Sequence, residues 1–147
     1  MSQEKYDALL LENQLCFPLY ACSREVIKRY RPYLEELNLT YTQYVVLMVI
    51  WEEKTISVRD LGKRLFLDSG TLTPVLKTLE KAGLITRQRS KLDERVLMVT
   101  ITEEGVALRD KALTIPAAVG KCNKLDAEEA ATLYRLLYKI LGTVDNE

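Results

Sequence analysis

The periodicity of the chain changes at Gly83, and that change limits its fold more than any other feature. Before it, apolar residues recur at helical spacing; after it come two β-branched-rich runs, Leu84 to Arg89 and Val96 to Ile101, on either side of a charged stretch. Such a pair of runs around a polar tip reads as an antiparallel hairpin. Upstream, Ser57-Val58-Arg59-Asp60 has a hydroxyl at the N-cap and a carboxylate three residues on, a helix start signal. The helix it opens covers about 58–66, with Val58, Leu61 and Leu65 at core spacing. Asp68-Ser69-Gly70-Thr71 is a turn followed by a second cap, and the next helix runs to about Ala82 with Leu72, Val75, Leu76 and Leu79 on its inner stripe. Pro74 is tolerated in its first turn, where N–H groups have no intrahelical partner. Gly83 closes the helix.

Longer helical segments flank this centre. Tyr6 to about Glu36 contains no glycine and reads as one or two helices, with Pro18 as the expected interruption. Thr40 opens a helix over 41–52 whose run Tyr44 to Trp51 is apolar nearly all round, so it should be buried. Thr102-Glu103-Glu104-Gly105 starts another helix that Pro116 should end or kink. Asp126 to Glu129 caps the last, with Leu133, Leu136, Leu137, Ile140 and Leu141 on one stripe. The order is helix, helix, helix, turn, helix, hairpin, helix, helix. Two short helices joined by a tight turn and followed by a charged hairpin make a winged helix-turn-helix, mainly α with a small β wing. Residues 1–147 are expected to be one domain, with a DNA-binding core at about 54–101. The flanking helices, about 6–36 and 103–143, carry more apolar surface than that core can cover, and a homodimer through them would bury it.

The chain has equal numbers of basic and acidic residues, 21 of each, but they are unevenly placed. Between Lys54 and Arg95 ten lysines and arginines face five acidic residues. Local positive charge of this kind is what a nucleic-acid contact needs, although a charge run is also the ordinary make-up of a solvated face. Histidine is absent, which removes the commonest general base and zinc ligand. The three cysteines, Cys16, Cys22 and Cys122, are too widely spaced for a zinc ribbon or disulfide framework. No metal or cofactor is expected. The N-terminus lacks a signal-peptide pattern and no apolar run approaches the roughly 20 residues that span a bilayer, so the expected location is cytoplasmic, away from membranes.

In the second short helix, Ser69, Thr71, Thr73 and Lys77 lie in its N-terminal, outward part. Short hydroxyls and a lysine there suit phosphate and base-edge contacts; the plainer reading is a capped surface helix. The hairpin tip, with Arg87, Arg89, Asp93 and Arg95, is dense in arginine. An aspartate two residues before an arginine can hold the guanidinium outward, and arginine is favoured in a narrow minor groove. The plainer alternative is a solvated hairpin with local ion pairs.

Four motifs in order, 11–17 (Leu-Glu-Asn-Gln-Leu-Cys-Phe), 39–44 (Leu-Thr-Tyr-Thr-Gln-Tyr), 67–77 (Leu-Asp-Ser-Gly-Thr-Leu-Thr-Pro-Val-Leu-Lys) and 84–90 (Leu-Ile-Thr-Arg-Gln-Arg-Ser) with Asp-Glu-Arg at 93–95, resemble the MarR family of transcriptional regulators, and within it the organic hydroperoxide resistance regulators. The resemblance covers nearly the whole chain. It implies a homodimer on a pseudo-palindromic double-stranded DNA operator, with the second helix of the motif in the major groove and the wings in flanking minor grooves. It implies further that Cys16 is the redox sensor for an organic hydroperoxide, hydrogen-bonded by Tyr20 and Tyr30 across the dimer. Phenolic O–H donors stabilise a thiolate without adding charge, and the thiolate is the species that attacks peroxide. Cys122 lies where two-cysteine members of the group carry a resolving thiol, while Cys22 reads as structural. Position 42 is Thr where the family commonly has Pro. Pro18 leaves two arrangements open: a helix restarting near Cys16, or a kink beyond it. Two other functions also remain open, a repressor answering a phenolic ligand or general oxidant, and a thiol peroxidase.

Overall fold

Thr40 and Gln43 set the register of a helix that carries much of the core. The Gln43 N–H donates to Thr40 Oγ1 at 3.2 Å, and Gln43 Oε1 accepts from the Thr40 N–H at 3.0 Å. With both free donors satisfied, the helix start needs no proline at position 42. A computed structural model describes residues 3–121 and 123–144. After two short 3-10 helices, Gln3–Leu9 and Leu11–Asn13, come α1 (Cys16–Glu35), α2 (Tyr41–Glu53), β1 (Thr55–Ser57), α3 (Val58–Leu65), α4 (Ser69–Lys81), β2 (Ile85–Arg89), β3 (Leu97–Ile101), α5 (Glu103–Ala112), α6 (Ile115–Gly120) and α7 (Ala127–Val144). The chain divides into two compact units, Met1–Ile115 and Pro116–Glu147.

In the first unit α2 is central. Tyr44, Val46, Leu47, Val49 and Ile50 are buried on it, and it packs on α1, α3, α4, α5 and two of the strands. Leu61, Leu72, Leu76, Leu79, Ile85 and Val99 complete the core from the surrounding elements. Each such aliphatic side chain, fully buried, contributes about 1.5–3 kcal/mol. The helix-turn-helix is tight for an identifiable reason: a Cβ on Gly62 would stand 2.6 Å from the Leu67 carbonyl oxygen. The expected capping bonds are in place. The Asp60 N–H donates to Ser57 Oγ at 3.1 Å and the Thr71 N–H to Asp68 Oδ1 at 2.7 Å.

The wing is a hairpin, but the sheet has three strands in the order β1-β3-β2, all antiparallel. Val99 in the middle strand faces Ile56 on one side and Arg87 on the other. The sequence reading did not contain β1. Three residues between two helices are too few to show a period of two.

At Pro18 the chain takes the restarted-helix arrangement, with the break slightly earlier than the proline, and at Pro116 the expectation needs correction. The break in the first helical segment falls at Gln14 and Leu15, not at Pro18, which occupies the third position of α1. Its missing N–H would have had no intrahelical partner there. Likewise α5 stops at Ala112, and Pro116 is the second residue of α6, where a fixed φ favours the start of a helix.

In the second unit, Asp126 and Glu129 cap α7 reciprocally, at 2.8 and 3.2 Å. Its Leu133, Tyr134, Leu136, Tyr138 and Ile140 are exposed, and the Tyr134 and Tyr138 rings lie 4.7 Å apart.

Candidate nucleic-acid interface and redox site

The four outward residues expected on α4 do not form one line. Ser69, Thr73 and Lys77, four residues apart, share one flank; Thr71 lies round on the other, with Gly70 and Pro74 between them. Ser69, Thr71 and Lys77 are exposed, while Thr73 is half-buried and donates to the Ser69 carbonyl at 2.7 Å. Hydrogen bonding from the Thr71 backbone holds the Asp68 carboxyl below its ordinary value. Gly70 and Pro74, both exposed, add no hydrogen-bonding side chain between the two flanks.

The wing tip is an ordered turn. The Ser90 N–H donates to the Val96 carbonyl at 2.8 Å, the Val96 N–H to the Asp93 carbonyl at 3.0 Å, and the Leu92 N–H to Ser90 Oγ at 3.2 Å. Asp93 takes three bonds from Arg95: backbone N–H at 3.0 Å, Nε at 3.1 Å and a terminal nitrogen at 3.2 Å. This fork leaves the Arg95 side chain 90 % exposed. The guanidinium bonds also hold the Asp93 carboxyl below its ordinary value. Arg89 is exposed at the end of β2. Arg87, expected at the tip, lies instead in the strand, where a terminal guanidinium nitrogen pairs with Glu80 of α4 at 3.0 Å.

Cys16 is the first residue of α1, where N–H groups without intrahelical partners face outward, and no side chain caps that end. Of the two arrangements Pro18 allowed, this is the restarted helix. The thiol is exposed, as are Leu15, Phe17, Leu19 and Tyr20 around it. Tyr20 is one turn on, with the Arg24 guanidinium 4.5 Å from its ring centre. Tyr30 is fourteen residues along the same helix, about 21 Å at 1.5 Å per residue, so Cys16 and Tyr30 of one chain do not meet. The Tyr30 ring packs on Tyr41 at 5.0 Å and Tyr44 at 5.9 Å. Burial, and next the neighbouring Tyr30, push the phenols of Tyr41 and Tyr44 up. These two tyrosines escaped the sequence reading although both lie in the 39–44 motif; what marks them is the cluster. Cys22 is exposed on α1, and Cys122 lies outside the described residues. No group of His, Cys, Asp and Glu among the described residues could hold a metal ion, and no helix there is long and apolar enough to cross a membrane.

Residues 28–112 match the family model of the SarA/Rot transcriptional regulators. The chain is 48 % identical, over 97 % of each protein, to the organic hydroperoxide resistance transcriptional regulator of Bacillus subtilis. Among solved structures it is similar to reduced AbfR bound to DNA, from Staphylococcus epidermidis, with a TM-score of 0.78 and 34 % identity over 97 % of this chain and 99 % of that one. AbfR has also been solved overoxidized on DNA and with a disulfide formed. A MarR mutant from E. coli complexed with operator DNA superposes with a TM-score of 0.75 at 29 % identity, over 86 % of this chain and 93 % of that one. Likeness of this extent, spanning both the winged helix-turn-helix and the thiol-bearing helix, settles the kinship: the chain belongs to the MarR family of transcriptional regulators, in the group of organic hydroperoxide resistance regulators.

Proposed function

We propose that the chain is a homodimeric transcriptional repressor that holds a pseudo-palindromic DNA operator and releases it when an organic hydroperoxide oxidises Cys16. The observation that carries this reading is a thiol at the opening turn of α1, on an exposed apolar surface, in a chain built around a winged helix-turn-helix. Residues 1–147 act as one domain, with the DNA-binding core at about 54–101 and dimerisation through helices at about 6–36 and 103–143. The exposed leucines and tyrosines of α7, and separately those around Cys16, support that interface. Ser69, Thr71, Thr73 and Lys77 meet the major groove; Arg89 and Arg95, the latter held by Asp93, reach the minor groove. The repressor works in the cytoplasm, where it meets the chromosome.

The Cys16 thiolate attacks a peroxide oxygen: a sulfur–oxygen bond forms, the oxygen–oxygen bond breaks, and the alkoxide takes a proton and leaves as the alcohol. Cys16 becomes a sulfenic acid. Tyr20 and Tyr30 of the second protomer donate hydrogen bonds to the thiolate, and for Tyr30 the helical distance puts a bond within one chain out of reach. Oxidation replaces those bonds with a polar oxygen in a packed interface. A buried polar group left unsatisfied costs on the order of 1–3 kcal/mol, and two such sites in a dimer offset much of the roughly 4–10 kcal/mol that separates specific from non-specific DNA binding. If Cys122 then attacks the sulfenic acid, a disulfide forms and water leaves. The thiol reacts once per reduction, as a sensor rather than a peroxidase.

A duplex selected by the protein from a random-sequence library provides the probe. Cumene hydroperoxide should release it at a lower dose than hydrogen peroxide, with about one equivalent of peroxide consumed per thiol. Cys16→Ser should bind as wild type does and stay bound. Release of Cys16→Ser with the wild-type dose dependence, or peroxide consumption far beyond the thiol present, overturns the mechanism.

A further inference from the structure

Glu80 sits in the last turn of α4, on the helix that carries Ser69, Thr71 and Lys77. One of its oxygens accepts from the Arg87 backbone N–H at 3.0 Å and the other from the Arg87 guanidinium at 3.0 Å. The first bond is unusual in kind. Strand β2 is at the edge of the sheet, so an N–H turned away from β3 would normally face solvent or another strand. Here a carboxylate from the helix takes it. The Arg87 side chain is only 19 % exposed and its Nε is buried with no partner, so Glu80 is its anchor. Hydrogen bonding from that guanidinium holds the Glu80 carboxyl below its ordinary value. Around the same junction the Leu84 N–H donates to the Leu79 carbonyl at 3.1 Å, and Thr102 Oγ1 donates to the Gly83 carbonyl at 2.6 Å. Helix end and strand start are thus tied at several points, and Glu80 is the one that reaches furthest along the wing.

From this geometry we infer that Glu80 and Arg87 form a clamp that sets the pitch of the wing against α4, so that Glu80 acts as a positioning residue for the wing's DNA contacts. This rests on the operator-binding function proposed above. Arg87 then serves the DNA through Glu80 and not by touching it. The scale is sufficient. Ser90 is three residues beyond Arg87, about 10 Å along a strand, so a tilt of about 10° at the clamp moves the start of the tip by about 2 Å. Hydrogen bonds tolerate far less than that, and the minor groove is only about 6 Å wide. Arg89, on the same face of β2 two residues on, and Arg95, at the tip, would both lose register.

The test uses the full-length wild-type chain and a duplex it selects from a random library, in two lengths: complete, and trimmed of the flanking base pairs that the wings cover. Glu80→Ala should lower affinity for the complete duplex about tenfold, the scale of one good groove contact, and change affinity for the trimmed duplex less than about twofold. In an Arg95→Ala background the effect of Glu80→Ala should largely disappear. Glu80→Gln, which keeps an acceptor for the Arg87 N–H, should fall between wild type and Glu80→Ala, and it carries the same comparison if Glu80→Ala does not fold. Equal losses on both duplexes, or losses that multiply with that of Arg95→Ala, mean that Glu80 acts only on general stability and overturn the proposal. Failure of wild type to select any duplex would instead overturn the repressor function itself.

Discussion

Gly105→Ala should damage this protein more than its size suggests. A Cβ there would stand 2.3 Å from the Leu84 carbonyl oxygen and 2.5 Å from Ile101 Cδ1. Ordinary contact begins near 3.4 Å, so the carbonyl would have to retreat by about 1 Å. It is not free to do so. Leu84 O accepts the Thr102 N–H at 3.1 Å, while Thr102 Oγ1 accepts the Gly105 N–H at 3.1 Å and donates to Gly83 O. On the other side, the Gly105 carbonyl accepts the Trp51 indole N–H at 2.8 Å. Overpacking of this kind costs about 1–3 kcal/mol, and one of these hydrogen bonds, once broken, about 1 kcal/mol more. The sum is about 2–4 kcal/mol, or a fall in Tm of roughly 5–15 °C for a chain of this length. Gly70→Ala is the control, because its Cβ would meet only Asp68 Oδ1, at 3.4 Å; it should melt within about 2 °C of wild type. Thermal unfolding followed by far-UV circular dichroism, at equal protein concentrations so that dimerisation shifts all melts alike, decides the matter. A Gly105→Ala protein that melts with wild type, or a Gly70→Ala protein that loses as much, would refute the steric reasoning.

Arg95→Ala should leave the melt unchanged, its side chain being 90 % exposed, yet weaken binding to the selected duplex by about 1–3 kcal/mol in fluorescence anisotropy. Asp93→Asn, which keeps the arginine but loosens its fork, should lose less. On non-reducing electrophoresis, peroxide-treated wild type should run as a covalent dimer and Cys122→Ser as a monomer; a wild type that leaves DNA yet runs as a monomer uses Cys16 alone. The Glu80 carboxyl is lowered from its ordinary 4.5, so its stabilising effect is complete above that value and disappears as pH falls through the lowered folded value. Melts of wild type and Glu80→Gln should therefore differ at pH 7 and converge as pH falls through that lowered value, and a constant difference would exclude the linkage.

The elements that could be read from the sequence are those whose local chemistry and periodicity agree. Thr40, Ser57, Asp68, Thr102 and Asp126 all lie at helix starts and cap them, and the change of period at Gly83 marked the wing. Missing were features set by contacts distant in sequence. Strand β1 exists because Ile56 finds Val99, and nothing within its three residues announces it. Arg87 was grouped with the wing tip because charge density does not reveal a partner seven residues upstream that pairs with it in the strand. Proline was ambiguous at 18 and misled at 116 because it is as welcome in the first turn of a helix as it is disruptive later, and the sequence does not say where the turn begins. For the proposed redox site, motif order located Cys16 and Tyr20 on α1, whereas the packing of Tyr30 on Tyr41 and Tyr44 depends on how two helices cross.

The three-residue strand β1 makes the helix-turn-helix and the wing one cooperative piece. It leads from α2 into α3 and is hydrogen-bonded to the strand that returns from the wing tip, so neither half can open without tearing the sheet. Amide exchange should accordingly be slowest along β3, paired on both sides, with Val99 fully buried at its centre. The turn between Ser90 and Val96 stands outside that ladder. Insertions, deletions and changes of charge there leave the cooperative piece untouched, which makes the tip the place where descendants of this sequence can drift toward new operators without risking the fold.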